Sequence, residues 1–322
     1  MPTVSIVIPV FNAEATISEL CASIISELTS EVSEFEIILV DDCSRDNSWR
    51  LIESLASKDD HIRAVKLGRN FGQHNALLCG IRMARYEVVV TLDDDLQHPA
   101  SQITVLLNKL AEGHDVVYGV PVAAQHGFLR NVASRVTKAA LQGVIGLEAA
   151  RDVSAFRSFH THLRNGFASF QSPFVSIDVL LGWSTSRFSS VKVEHRPRAF
   201  GESNYTLRKL VSHAFNILTG YSALPLKLAS IIGFTLTLFG FLILSFVLIQ
   251  YFINGASVPG FVFLASIITI FSGTQMFVMG IFGEYLARIH FRSLNQPQYF
   301  VREKTNAGSD LKGRTGQKKS ES

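Results

Sequence analysis

Charge is missing from one long stretch of this 322-residue chain: between residues 228 and 283 there is no Asp, Glu, Lys, Arg or His. Cysteine is scarce as well. Cys21, Cys43 and Cys79 are scattered, which excludes a metal-ligand spacing and a disulfide framework and fits a reduced, cytoplasmic setting. Neither G-x-G-x-x-G nor G-x-x-x-x-G-K-[ST] occurs, so a dinucleotide-binding or ATP-hydrolysing reading lacks its usual feature. Net charge is only +3 and no basic–aromatic stripe is present, which argues against nucleic-acid binding. No leader is expected either: "MPTVSIVIPVFNAE" has no basic start, and its apolar run stops at Pro9.

The uncharged stretch holds two segments, 231–253 and 261–282, each long enough to cross about 30 Å of hydrocarbon. "NGASVPG" is a short turn between them. Arg198, Arg208, Lys209 and Lys227 precede the first segment, Arg288, His290 and Arg292 follow the second, and the turn carries no charge. The positive-inside rule puts both ends in the cytoplasm. The expected organisation is a soluble domain over 1–200, a juxtamembrane segment over 201–227 and spans over 228–253 and 261–283. A cytoplasmic tail over 284–322, disordered from about 306, completes it. The 205–227 stretch mixes apolar positions at helical spacing with Arg208, Lys209 and His213; it reads as an interfacial helix or as an ordinary surface helix.

The first half alternates apolar runs with helical patterns. "TVSIVIPV", "FEIILVDD", "IRAVKL", "YEVVVTLD" and "DVVYGV" read as strands. Residues 14–30, 46–58, 72–84 and 99–113 read as the helices between them, and 126–145 as a further helix with Arg130, Arg135 and Lys138. This is an α/β pattern with a mostly parallel sheet. Ligands of such sheets sit outside the carboxyl ends of the strands. Asp41, Asp42, Asp93 and Asp95 all fall at or just beyond strand ends, on one rim.

"VVVTLDDDLQHPA" runs from an apolar strand into three carboxylates. If the chain is leaving a strand, Asp93 and Asp95 point the same way and both can approach one hard divalent ion. Asp94 then points elsewhere, to a backbone N–H or a basic partner such as Arg69. An acid-rich turn capping the next helix is the competing reading. Asp41 and Asp42 can accept donors from a base or ribose, while Ser44 or Asp46 caps the helix that follows. "LGRNFGQHNA" adds Arg69, suited to phosphate, beside two glycines that permit close backbone approach.

Taken together, "SIVIPVFNAEATI", "LVDDCSRDNS", "LGRNFGQHNALLCG", "VVVTLDDDLQHP", "RDVSAFR" and "RPRAFGESNYTLRKL", followed by two spans, resemble the family 2 glycosyltransferases that load polyprenyl phosphate. The resemblance runs to about Phe300. It implies a Rossmann-like GT-A fold and inverting transfer from a nucleotide sugar to a polyprenyl phosphate, in the plasma (inner) membrane, for cell-envelope glycan or lipid modification. The best guess for the donor is UDP-glucose and for the acceptor undecaprenyl phosphate. An aminoarabinose-type donor, another membrane-lipid acceptor and a non-catalytic membrane scaffold stand as alternatives.

By the same resemblance, Pro9, Phe11 and Ala13 border the nucleotide, and Asp41 and Asp42 lie near the base and ribose. Asp93 and Asp95 handle the donor diphosphate with Mg²⁺ or Mn²⁺. Gln97 sits beside them, and Asp152 and Arg157 border the acceptor side. Arg196, Arg198, Ser203 and Tyr205 match the motif near the lipid phosphate. Asp152 is the expected orienter or base, and Arg157, Arg196 and Arg198 the expected phosphate holders. Such enzymes often form homo-oligomers, but the sequence does not display an interface.

Three positions depart from the family pattern. Ala13 stands where an acid is usual, with Glu14 one place later; either Glu14 substitutes or the loop meets the nucleotide by backbone alone. Asp94 adds a third carboxylate. Cys43 replaces a glycine, a swap expected to cost little if φ there is not positive.

Overall fold

The computed structural model describes residues 2–121, 152–196, 224–254, 260–294 and 296–305. The expected helix over 126–145, most of the 205–227 segment, most of the turn between the spans and the tail beyond 305 lie outside the described residues.

The strand β1 (Thr3–Val10) is buried from Val4 onward, as an all-apolar run predicts for a strand covered on both faces. Its side chains alternate between two cores. Ile6, Ile8 and Val10 meet Leu20, Ile24 and Leu28 of α1 (Ile17–Glu31). Val7 faces the other side, toward Leu77, Leu78 and Ile81 of α3 (Gln73–Met83). The first core also takes in α2 (Ser48–Lys58) and α4 (Ser101–Ala111). The second takes in a 3₁₀ turn (Thr161–Phe167) and α5 (Ile177–Ser184). The result is a sheet between two helical layers.

The sheet has eight strands in the order β7-β5-β6-β4-β1-β2-β3-β8. β1 runs parallel to β2 (Glu34–Asp41) and β4 (Val88–Thr91), and β2 to β3 (Ile62–Leu67). Up to this point the sheet is the parallel one expected. β6 (Arg157–His160) then enters antiparallel between β4 and β5 (Val116–Pro121), while β7 (Phe188–Val193) lies parallel to β5. Because β6 is antiparallel, the residues just before Arg157 run past the carboxyl end of β4. Thr91 pairs with Arg157 in register, and the Thr91 hydroxyl donates to the Ala155 carbonyl at 2.7 Å. A segment far along the chain is thereby delivered to the acidic rim.

β4 stops opposite Val7 of β1. The last residues of β1 therefore keep β2 on one side only, and Pro9, which has no N–H to give, costs no ladder bond toward the missing neighbour. The open notch left beside β1 is where the cavity described below lies.

Two expectations change here. Arg157 does not present its guanidinium as an exposed phosphate holder: it is 2% exposed, and it pairs with Asp178 of α5, which also accepts from the Tyr118 hydroxyl at 3.0 Å. A guanidinium placed in a sheet interior needs a carboxylate partner, and the Asp178 that supplies it sits in an unremarkable apolar helix. The tail also differs from a simple cytoplasmic extension. The second long helix runs on to Ser293, and Val301–Thr305 returns as β8, antiparallel to β3 at the sheet edge.

The long helices are α6 (Leu224–Asn254) and α7 (Phe261–Ser293), which touch each other. Pro225–Gln250 is long and apolar enough to cross a membrane, and none of its most apolar window is buried within the protein. Phe234, Phe241 and Phe252 are exposed. Such surfaces are stable in lipid and costly in water.

Replacing Arg157 by Met leaves Asp178 buried without its cation. The expected loss is about 3–5 kcal/mol in chemical unfolding, with most of it recovered when Asp178→Leu is added.

Candidate active site

A cavity of about 310 Å³ opens at the carboxyl rim, lined by the end of β1 (Pro9, Val10, Phe11), by Asp42, by Asn70, Gly72 and Gln73, and by Asp93, Asp94 and Asp95. Its size suits a small organic ligand. One wall is apolar and the floor carboxylate-rich, and no Lys or Arg is among these lining residues.

The three adjacent aspartates leave β4 in a loop, not as a continuing strand, and all three line the cavity. Each accepts from a different piece of chain. Asp93 Oδ1 accepts from the Gln73 side-chain amide at 2.6 Å. Asp94 Oδ2 accepts from the Phe11 N–H at 3.1 Å, and Asp95 Oδ1 from the Gln97 N–H at 3.2 Å. Asp94 thus takes a backbone donor, as expected, yet shares the cavity with its neighbours. Arg69 does not line the cavity; its guanidinium lies over the Phe71 ring at 4.7 Å.

Asp41 and Asp42 separate in role. Asp41 is fully buried, with the Ser44 N–H at 3.3 Å from each carboxylate oxygen, and is not part of the lining. Burial raises its pKa. Asp42 faces the cavity and is held by two backbone donors, Phe71 N–H at 2.7 Å and Gly72 N–H at 2.8 Å. Gly72 has φ +92°, which the sharp entry into α3 requires and only glycine adopts without strain. Burial pushes the Asp42 carboxyl up to about 6; the two amides pull it down, and the Asp41 charge adds to the rise.

Among the described residues three non-glycines have positive φ: Asn12 at 55°, Cys43 at 61° and Leu96 at 59°. They follow β1, β2 and β4, so backbone strain gathers on this rim. The condition attached to Cys43 is therefore not met: it occupies a left-handed position where glycine is the relaxed residue.

The loops after β1 and β2 are tied together. Asn12 and Ala13 donate their N–H groups to Ser44 Oγ and Ser48 Oγ, and Asn12 Oδ1 accepts from Arg45 N–H. The Glu14 carboxylate accepts from Asn47 N–H at 2.9 Å, so it braces the neighbouring loop. Asp46, one residue before the N-cap Asn47 of α2, accepts from the Ser48 N–H that opens the helix.

Asp152 lies on the segment that β6 brings to the rim and accepts from the Ser190 hydroxyl of β7 at 2.6 Å. Arg196, just past β7, donates its backbone N–H to the Gln97 carbonyl at 2.8 Å, and its exposed guanidinium meets Glu194 at 3.0 Å. Gln97 is thus fixed between Asp95 and Arg196. His98 stacks on Phe156 at 4.6 Å, and burial lowers its pKa to about 4, so it stays neutral near pH 7. Arg198, Ser203 and Tyr205 lie outside the described residues. Gln73 was not singled out from the sequence, although its place at the head of a helix opposite an acidic strand end was a usable signal.

The lining fits a hard divalent cation in chemistry, being oxygen-only and acidic. Among the described residues no three carboxylates, imidazoles or thiols converge into a complete protein cage. A cation here would be shared between one or two aspartates, water and a phosphorylated ligand.

The Glycosyl transferase family 2 model matches residues 5–168. Undecaprenyl-phosphate 4-deoxy-4-formamido-L-arabinose transferase from Shewanella sediminis is 34% identical, over 93% of this chain and 92% of that protein. The Proteus mirabilis protein of the same name is 32% identical over 93% of each. Among solved structures, a Mycobacterium tuberculosis glucosyl-3-phosphoglycerate synthase, in complex with Mn²⁺, UDP and phosphoglyceric acid, superposes with a TM-score of 0.50. It is 22% identical over 68% of this chain and 76% of that one, a likeness of fold.

Two outcomes follow from the rim. Cys43→Gly relieves the left-handed strain and is expected to raise stability by about 1 kcal/mol in denaturant titration. For Asp42, the folded pKa of about 6 lies above the unfolded value of about 3.9. The folded state then binds more protons between these values, so this group's contribution to stability falls as pH rises from about 4 to about 6. Thermal melts across that window should show the slope, and Asp42→Asn should flatten it.

Proposed function

The chain belongs to glycosyltransferase family 2, and on that premise we propose that it transfers a sugar from a nucleotide-diphosphate sugar to undecaprenyl phosphate, with inversion, at the cytoplasmic face of the plasma membrane. The observation that carries the reading is the cavity in which Asp93, Asp94 and Asp95 face Asp42 and the apolar end of β1. The donor favoured is of the 4-deoxy-4-formamido-L-arabinose type, because relatives spanning nearly the whole chain carry that name. UDP-glucose is the comparison donor.

Each residue has a task in this reading. Pro9, Val10 and Phe11 form an apolar wall for the base, and Asp42 receives hydroxyl or amide donors of the nucleoside. Asp93 and Asp95 would hold Mg²⁺ or Mn²⁺ at the diphosphate end, and the cation would supply neutralising charge for the leaving group. Gln73 keeps Asp93 in place, and the Gln97 N–H does the same for Asp95. The acceptor phosphate is already largely ionised near pH 7, its second pKa being about 6; it needs positioning more than a base. Asp152, held by Ser190, borders the acceptor from the β6 side. Arg196, with Arg198, Ser203 and Tyr205, supplies the lipid-phosphate side. Arg157 acts from beneath as a support, since Asp178 occupies its guanidinium. The helices α6 and α7 form a membrane hairpin that keeps the rim near the plane of the lipid headgroups, with both ends of the chain cytoplasmic.

Detergent-purified protein given Mg²⁺ or Mn²⁺, undecaprenyl phosphate and a panel of nucleotide sugars should yield one sugar-phosphoryl lipid by mass spectrometry. Chelation should abolish it, and Asp95→Asn should lower turnover by about 10²–10³-fold with the fold intact. A folded, lipid-supplied protein that makes no product from any donor overturns the reading.

A further inference from the structure

The strand that follows the two long helices packs against the segment that lines one side of the cavity. Gln298 is buried and bonds in two directions: its carbonyl accepts from Arg82 Nη1 at 2.9 Å, and its amide donates to the Phe170 carbonyl. The Arg82 guanidinium also lies over the Tyr299 ring. The Phe300 carbonyl accepts from the Gly68 N–H at 2.8 Å. A Cβ on Gly68 would come within 2.8 Å of the Phe300 ring, so the ring lies close over residue 68 where there is no side chain to displace it. Val301–Thr305 then pairs with β3, with a register shift at Lys66/Leu67, immediately before that contact.

Gly68 begins the short connection from β3 to α3, and of the residues that follow it, Asn70 through Gln73 bear on the cavity while Arg69 does not. Phe71, packed in the same apolar cluster as Tyr299 and Val301, gives its N–H to Asp42. Gly72 does the same at the second oxygen, and Gln73 holds Asp93. Asn70, Gly72 and Gln73 line the cavity directly. The six residues from Gly68 to Gln73, the last of them the first of α3, therefore position both the carboxylate at the nucleoside end and one at the diphosphate end. Their entry point is clamped by a segment more than two hundred residues later, directly after the membrane helix.

We propose that Gln298 and Tyr299 are positioning residues for the donor site: the returning strand fixes the Gly68–Gln73 connection, and through it sets affinity for the nucleotide diphosphate moiety. The inference rests on the proposed function for the identity of the ligand, but the mechanical link between strand and loop stands apart from it.

Full-length Tyr299→Ala and Gln298→Ala proteins, with Tyr299→Phe as the conservative variant, are compared with the unmodified protein by three readouts. The first is amide hydrogen exchange at residues 68–73, the second is binding of UDP with Mn²⁺, and the third is steady-state kinetics with donor and lipid varied separately. The expected result is faster exchange at Phe71 and Gly72 and a rise of about tenfold in donor KM and UDP Kd, a change of about 1.4 kcal/mol. kcat and lipid KM should stay within about twofold, and Tyr299→Phe should keep most of the affinity. Lower melting temperatures with unchanged exchange at 68–73 and unchanged donor KM overturn the inference, leaving the strand a purely structural edge. If the unmodified protein binds no nucleotide diphosphate and uses no donor, the proposed function falls, and exchange at 68–73 alone decides whether the strand holds the loop.

Discussion

Three consecutive carboxylates at the mouth of a buried strand repel one another strongly in a site of lowered dielectric. The arrangement persists because each finds a donor on a separate element: Gln73 from the head of α3, Phe11 from the loop after β1, and Gln97 from within the same turn. These are neutral amides. They orient the oxygens toward a lining that is oxygen-only and acidic, the donor chemistry a hard divalent cation takes.

The same requirement explains the mixed sheet. A purely parallel sheet would end its contribution to the rim at β4. The antiparallel β6 turns a later piece of chain back across that end, bringing Ala155 to Thr91 and Asp152 to Ser190. The buried Arg157–Asp178 pair lies directly under this crossing. Its value there is geometric: it ties β6 to α5, with the Tyr118 hydroxyl on the same carboxylate, beneath the segment that carries Asp152. A buried ion pair earns little net stability but is very sensitive to losing one partner.

Much of this was legible in the residues. The strands β1, β2 and β3 are apolar runs bounded by Pro, Asp and Gly, and helices α3 and α4 follow their punctuation closely. The acidic rim could be read because strand-end position follows from alternation of elements alone. What stayed hidden depends on contacts distant in sequence. RSFH and VREKT are short and, in VREKT, mostly charged, so neither reads as a strand without the partner that gives it one. Arg157 looks like a phosphate ligand by composition and by motif; only its burial against Asp178 shows otherwise. The positive φ at Cys43 is a backbone property that a cysteine conceals and a glycine would have disclosed.

The edge of the sheet has an implication for biosynthesis. The amide of Ala64 bonds to the hydroxyl of Thr305, 241 residues further on, with both long helices lying between. At about 5–20 residues per second, β3 waits on the order of tens of seconds as an unpaired edge, a template for adventitious pairing. Closure of that edge comes only after the apolar helices have left the ribosome. A chain stalled before its second helix is finished would carry an assembled rim of aspartates beside an unclamped loop. Maturation of the catalytic domain is therefore sequenced behind translation of the two long helices.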